Sequence, residues 1–225
     1  MKTYSLPLAL LLIGLLPSCV STKNIPLSST DRATIHGKSV AVTSHPMPSW
    51  GVIKPETMVV SSLTGGIGGA IAGSVAENQG NKEIKKHGIK DPAEKIADTL
   101  EAQLIKDAGA KRFSKEKIYS DKNDSKEVAA LIPNADYILD VRTTGWMGMY
   151  YPMTFSKYKV LHNLQMRLIE QKTGKVIAQG FSAYQGDDKD NAPNFDGIYS
   201  NGASFLKQEL KKSSDKATGI FKSQL

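Results

Sequence analysis

The apolar patterns along the chain predict an α+β (mixed α/β) fold, a single sheet with helices packed on it in the order β-α-β-α-β-β-β-α. Three observations carry this. Short β-branched or alternating runs mark five strands, the last three consecutive. Two helical stretches with start signals fall between the early strands, and a helix-period run closes the chain. With 225 residues, 40% hydrophobic and 23% charged, and no long low-complexity tract, one globular domain with extra segments is expected.

The first nineteen residues assign an address. Lys2 gives a positive start, Leu6 to Leu16 is an uncharged run of eleven, and Ser18 precedes Cys19, the chain's one cysteine. That is the layout of a secretory signal, and the run is too short to span a bilayer. Leu16-Pro17-Ser18-Cys19 resembles the lipobox of bacterial lipoproteins, with Pro17 where those signals carry a small or β-branched residue. The resemblance implies that Cys19 is lipidated (palmitate being one of the chains carried) and becomes the first mature residue; an ordinary cleaved signal is the other reading. The domain plan is thus a signal peptide at 1–18, a lipidated tether at 19–36, and a globular domain at 37–225 with a glycine-rich insertion at about 57–76. Losing 1–18 lowers the net charge from +7 to +6. With Cys19 lipidated no thiol remains for a disulfide. A basic surface suits anionic surfaces in the envelope. Export argues against nucleic acid as a partner.

Residues 20–36 are polar and aperiodic, which reads as a tether. Lys38 to Thr43 is the first strand, and Pro46 and Pro48 force an extended loop after it. Asp91 as cap, Pro92 in the first turn and Glu94 open a helix whose stripe is Ile96, Leu100 and Leu104, ending near Gly109. A short strand is expected within Arg112 to Tyr119, and a helix over Ser125 to Ile132, stopped by Pro133. Ala135 to Met147 reads as a strand. Gly145 to Met153 reads as an aromatic and Met-rich turn. Lys157 to Gln171 alternates, with Tyr158, Val160, His162, Leu164, Met166 and Leu168 on one face. Lys172-Thr173-Gly174 turns it into a partner strand, Lys175 to Tyr184. A final helix covers about Tyr199 to Gln224.

Thr57 to Ala76 is twenty residues without a charge, holding Gly65, Gly66, Gly68, Gly69 and Gly73. As a helix it places Gly65, Gly69 and Gly73 on one face, a small-xxx-small groove that lets backbones approach closely. Five glycines cost an isolated helix about 4–5 kcal/mol relative to alanine, so partners are required. The protein's own sheet, a second copy as a glycine zipper, and lipid all remain open, as does a flexible loop. Neither a Walker loop nor a dinucleotide fingerprint fits.

The element order and the late hairpin Leu168-Ile169-Glu170 to Thr173-Gly174-Lys175-Val176-Ile177-Ala178 resemble the TolB amino-terminal domain and the periplasmic domain of the curli secretion channel lipoprotein. The glycine-rich stretch followed by Gly88-Ile89-Lys90-Asp91-Pro92-Ala93 resembles a group of Gram-negative outer-membrane lipoproteins. These resemblances imply an envelope lipoprotein and supply no activity.

His36, His45, His87 and His162 show no metal spacing, and Asp187, Asp188, Asp190 and Asp196 fit no EF-hand register. No metal or other cofactor is expected, and no catalytic residue: the sequence has no G-x-S-x-G elbow. Trp146, Met147, Met149, Tyr150 and Tyr151 are the residues best suited to contact a partner, since aromatic and Met side chains are enriched at interfaces. The reading is a non-enzymatic, lipid-anchored accessory protein of the periplasm-facing outer membrane, Val20 not being the aspartate of an inner-membrane retention signal. It would dock a protein partner or form a homo-oligomer. The alternative is a periplasmic hydrolase or cell-wall-modifying enzyme with dispersed residues.

Overall fold

The structure, a computed structural model, describes residues 23–53 and 67–225 apart from 152 and 155, with side chains in the glycine-rich helix described from residue 77 onward. The elements are α1 (Ser29–Ile35), β1 (Ser39–Ser44), β2 (Gly51–Val52), α2 (Ile67–Lys86), α3 (Pro92–Ala108), β3 (Lys111–Arg112), β4 (Ile118–Tyr119), α4 (Ser125–Leu131), β5 (Tyr137–Tyr150), β6 (Tyr158–Glu170), β7 (Lys175–Gln185), a 3₁₀ turn (Asp196–Ile198) and α5 (Ser200–Lys222). The α+β class and the mixed sheet are as the sequence predicts.

The sheet runs β3-β1-β5-β6-β7, with β4 also paired to β1 and β2 to β5. β1 is parallel to β3, β4 and β5. The long β5, β6 and β7 form an antiparallel meander. From β1 the chain crosses by α3 to one side, and from β4 it crosses by α4 to β5 on the other. The direction of winding therefore reverses at β1.

Local chemistry sets the helix ends. Asp91 accepts a hydrogen bond from the Ala93 N–H, Pro92 opens α3, and Gly109 closes it at φ 67°, the left-handed conformation that glycine adopts without strain. Asp124 caps α4 through the Lys126 and Glu127 N–H groups. α3 lays Ile96, Leu100 and Leu104 on Leu139, Leu164, Met166 and Leu168, with Phe221 of α5 beside them. Leu100 is fully buried, so Leu100→Ala would cost about 2–5 kcal/mol. α4 covers part of the opposite face, with Val128 and Ala129 on Ile138 and Ile169.

Several expectations change. The stretch expected as a tether is, from residue 23, packed on the domain. Ile25 pairs with Gln179 at the β7 edge, Ser28 caps α1, and Leu27 and Ile35 are buried. Two apolar anchors in a polar segment are too few to give a periodic signal. The expected strand within 112–119 is two short ones, β3 and β4. The expected turn at 145–153 is strand as far as Tyr150, because Gly148 serves packing there: a Cβ on it would meet Val52 and the Trp50 ring at 3.0–3.4 Å. β2, unforeseen, pairs parallel with this extension. The final helix is present but broken in its first turn, where Asn201, Gly202 and Ala203 have positive φ.

Candidate functional site

Cys19 and Gly65 lie outside the described residues. Gly69 and Gly73 lie on α2, so a helix does form there. Helical periodicity puts Gly73 on the face of Glu77 and Gly80. That face meets β2 where it is described: the Glu77 stem abuts Gly51, and a Cβ on Gly80 would fall 2.3 Å from the Trp50 carbonyl oxygen. Trp50 is fully buried, donates from its indole to the Tyr199 hydroxyl at 2.9 Å, and packs edge-on against Trp146 at 4.9 Å. Among the described residues no helix is long and apolar enough to cross a membrane.

The proposed contact set divides. Trp146, Tyr150 and Tyr151 are buried in the protein's own core, which corrects the expectation that they face a partner. Trp146 donates to the Pro48 carbonyl at 2.7 Å, and the Tyr151 hydroxyl donates to the Gly186 carbonyl at 2.9 Å. Met147, 38% exposed, and Met149 alternate with the buried residues and so face the other side of the sheet. Met147 there pairs across the ladder with the half-buried Leu161. α4 covers only the near half of this face; Met147, Met149 and Leu161 occupy its far half.

On the α3–α5 side, four polar side chains are linked in a row. Asp91 Oδ1 accepts from the Thr143 hydroxyl at 2.6 Å, Thr143 lies 3.1 Å from His162 Nε2, and His162 Nδ1 lies 2.9 Å from Ser213 Oγ. His162 and Ser213 have no exposed surface, so no substrate reaches them. Burial pushes His162 down to about 4, leaving it neutral at pH 7. Burial pushes Asp91 up, against the Thr143 and Ala93 hydrogen bonds. This His–Ser contact resembles part of a catalytic triad only in composition. Its geometry is that of a satisfied core network.

The second polar cluster, on the sheet's other face, is the one sequence reasoning missed. Asp140 of β5 is fully buried. Its Oδ2 accepts from Arg167 Nε at 2.9 Å and Nη2 at 2.6 Å, and its Oδ1 accepts from Thr43 at 2.8 Å and meets His45 Nε2 at 2.5 Å. Burial opposes ionisation of Asp140, but the His45 hydrogen bond and the Arg167 guanidinium together outweigh it and hold the carboxyl well below the usual range. Arg142, two residues on, is also buried. It donates to Gln165 Oε1 from Nε at 3.2 Å and Nη2 at 2.9 Å, and to Asn123 Oδ1 from Nη1. A cavity of about 240 Å³ opens against it, lined by His45, Pro46, Asp121, Asn123 and Thr144 among others. The available signal was the charge inside the otherwise apolar Tyr137-Ile138-Leu139-Asp140-Val141-Arg142, facing Gln165 and Arg167 on the next strand.

The acidic loop at 187–196 gathers no ligand set: among the described residues no three His, Cys, Asp or Glu side chains could hold a metal ion. The basic surplus is partly gathered in a groove of about 530 Å³ between α3 and α5, lined by Lys90, Lys95, Lys207 and Lys211 with Asp215.

No protein-family model matches the chain. No curated protein matches it either. Among solved structures it is similar to the LpoB C-terminal domain from Salmonella enterica, at 14% identity over 67% of this chain and 84% of that one, with a TM-score of 0.30. It is similar to lipoprotein GNA1162 from Neisseria meningitidis, at 13% identity over 76% and 96%, TM-score 0.26. It is also similar to the PelC dodecamer from Paraburkholderia phytofirmans, at 14% identity over 89% of both chains, TM-score 0.31. At these scores the likenesses say nothing about activity.

Proposed function

We propose that this chain is a lipid-anchored, non-enzymatic accessory protein on the periplasmic side of the Gram-negative outer membrane, docking a protein partner. The observation that carries the reading is the position of the domain's first described residues relative to Cys19. The Gln179 amide donates to the Lys23 carbonyl, Ile25 pairs with Gln179, and the Phe181 N–H donates to Asn24 Oδ1 at 2.8 Å. Four residues span at most about 14 Å, so a lipid on Cys19 would hold the β7 edge close to the bilayer. Pairing with Ile25 also protects part of an edge strand that would otherwise invite aggregation. The half-exposed Met147, Met149 and Leu161 on the same sheet leave an apolar surface for docking. The buried, mutually satisfied state of His162 and Ser213 supports a non-enzymatic role.

The test is metabolic labelling of the full chain with palmitate, followed by density fractionation of the membranes. The expected result is label in the wild type, none in Cys19→Ser, and loss of the variant from the outer-membrane fraction. Label retained in Cys19→Ser, or a wild type that fractionates as free periplasmic protein, refutes the reading.

A further inference from the structure

We propose that the cavity beside Arg142, bounded by His45 and Asn123 at the carboxyl end of β1, is a binding site for a small oxyanion, a phosphate or a carboxylate, that pairs with the Arg142 guanidinium.

Three observations lead there. The first is charge. Buried cations in folded proteins are paired with anions, because an uncompensated charge out of water is expensive. Asp140, the nearest buried anion, already takes two donors from Arg167, one from Thr43 and one from His45. Among the described residues Arg142 has only the neutral amide oxygens of Gln165 and Asn123, and forms no ion pair with a carboxylate. Its guanidinium is therefore a buried positive charge in a cavity wall, with Arg167 adding a second one nearby. Burial and the Arg167 charge push Arg142 down, and Asp140 only partly offsets them, which is the signature of a cation short of an anion.

The second observation is geometry. A guanidinium carries five N–H groups. Three are engaged by Gln165 and Asn123. Two remain, one on each terminal nitrogen, free to donate to the oxygens of a carboxylate or phosphate. His45 Nε2 faces the ionised Asp140, leaving Nδ1 without a protein partner among the described residues. A volume of about 240 Å³ admits a phosphate or a short carboxylate.

The third is topology. The chain winds to one side of β1 through α3 and to the other through α4. At such a reversal the loops after adjacent strands part and leave a crevice at the carboxyl ends, where open α/β sheets bind ligands. His45 follows β1 directly, and Arg142 lies on β5 three residues past Leu139, which pairs with Val42 of β1. The cavity thus occupies a place where this topology opens a crevice. The topology is independent of the charge and the donor geometry, and all three are independent of the lipid anchor.

The experiment uses the full chain in detergent at pH 7 and constant ionic strength, titrated with sodium phosphate, sodium acetate or sodium chloride. Melting temperature and heat of binding are read in each. The expected result is a saturable rise in melting temperature with phosphate or acetate and none with chloride, following the mass-action form for a ligand bound only by the native state. Which ion saturates at lower concentration identifies the ligand as phosphate or carboxylate. Arg142→Gln should weaken binding about tenfold or more, the scale of losing charge-assisted hydrogen bonds. Because Arg142→Gln could unfold the cluster, Asp121→Asn gives a second reading. Asp121 is exposed and lines the cavity, so removing its negative charge should tighten binding several-fold. No saturable effect of either ion overturns the proposal. So does binding that Asp121→Asn leaves unchanged, or that survives Arg142→Gln intact.

Discussion

His162 gives the protein a pH dependence that can be worked out in advance. An unfolded histidine titrates near pH 6.5. In the fold His162 is fully buried between Thr143 and Ser213, and burial pushes it down to about 4. The folded value lies below the unfolded one, so between pH 6.5 and 4 the unfolded chain binds a proton that the native chain does not. Stability therefore rises with pH across this window and falls on acidification. The full gap is worth about 3 kcal/mol, and about 2 kcal/mol of it appears between pH 7 and pH 5. Asp91, held up by burial, contributes with the opposite sign above its unfolded value of about 3.9. Comparing wild type with His162→Gln largely removes this and all other shared contributions. The assay is urea unfolding at pH 7 and pH 5, followed by the fluorescence of Trp50 and Trp146. The variant should be less stable at pH 7 but lose about 2 kcal/mol less than wild type on going to pH 5. Equal losses in both proteins refute the reasoning, because they mean that His162 takes up its proton without leaving the core.

Asp140→Asn should destabilise by about 3–5 kcal/mol, because it leaves Arg167 buried without its anion, and urea unfolding at pH 7 measures this. Asp140 is held low, so its contribution is present above about pH 4 and lost as pH falls below that; acid destabilisation of the wild type should steepen there. Gly80→Ala should cost about 1–3 kcal/mol by driving a methyl into the Trp50 carbonyl, read as a lower melting temperature with red-shifted tryptophan emission; unchanged stability would show that α2 does not bear on β2. Chelator should leave the melting temperature of the full chain in detergent unchanged, and a large drop would assign a metal to the acidic loop.

What the sequence disclosed follows from which signals are local. The caps of α3 and α4 and the β6–β7 turn at Gly174 depend on a few adjacent residues and read directly. β6 read correctly because its α3–α5 face is a continuous apolar alternation interrupted only by His162. Three features stayed hidden because their cause lies far along the chain. Gly148 looks like a turn residue until Trp50, about a hundred positions earlier, needs the space of its side chain. Residues 23–36 look like a linker until β7 offers an unpaired edge and a site for Leu27. The Asp140 cluster draws Thr43 and His45, Asn123, and Arg167 from three separate segments, and no spacing rule links them. The lesson for the aromatic stretch is specific: alternation with glycine can mean a strand whose glycines make room, and here that reading buries Trp146 and Tyr150 and leaves only the methionines outside.

The most direct measurement is site-specific photo-cross-linking in intact cells expressing the full lipidated chain. A photoreactive residue is placed at Met147 in one protein, at Leu161 in a second, and at the exposed Tyr119 on the far side of the sheet in a third. The account predicts one discrete protein adduct shared by positions 147 and 161, absent at 119, and reduced in the Cys19→Ser background. Adducts of the chain's own double mass would identify that partner as a second copy. No adduct at 147 and 161, or the same bands at all three positions, would contradict the claim that this face docks a protein at the membrane.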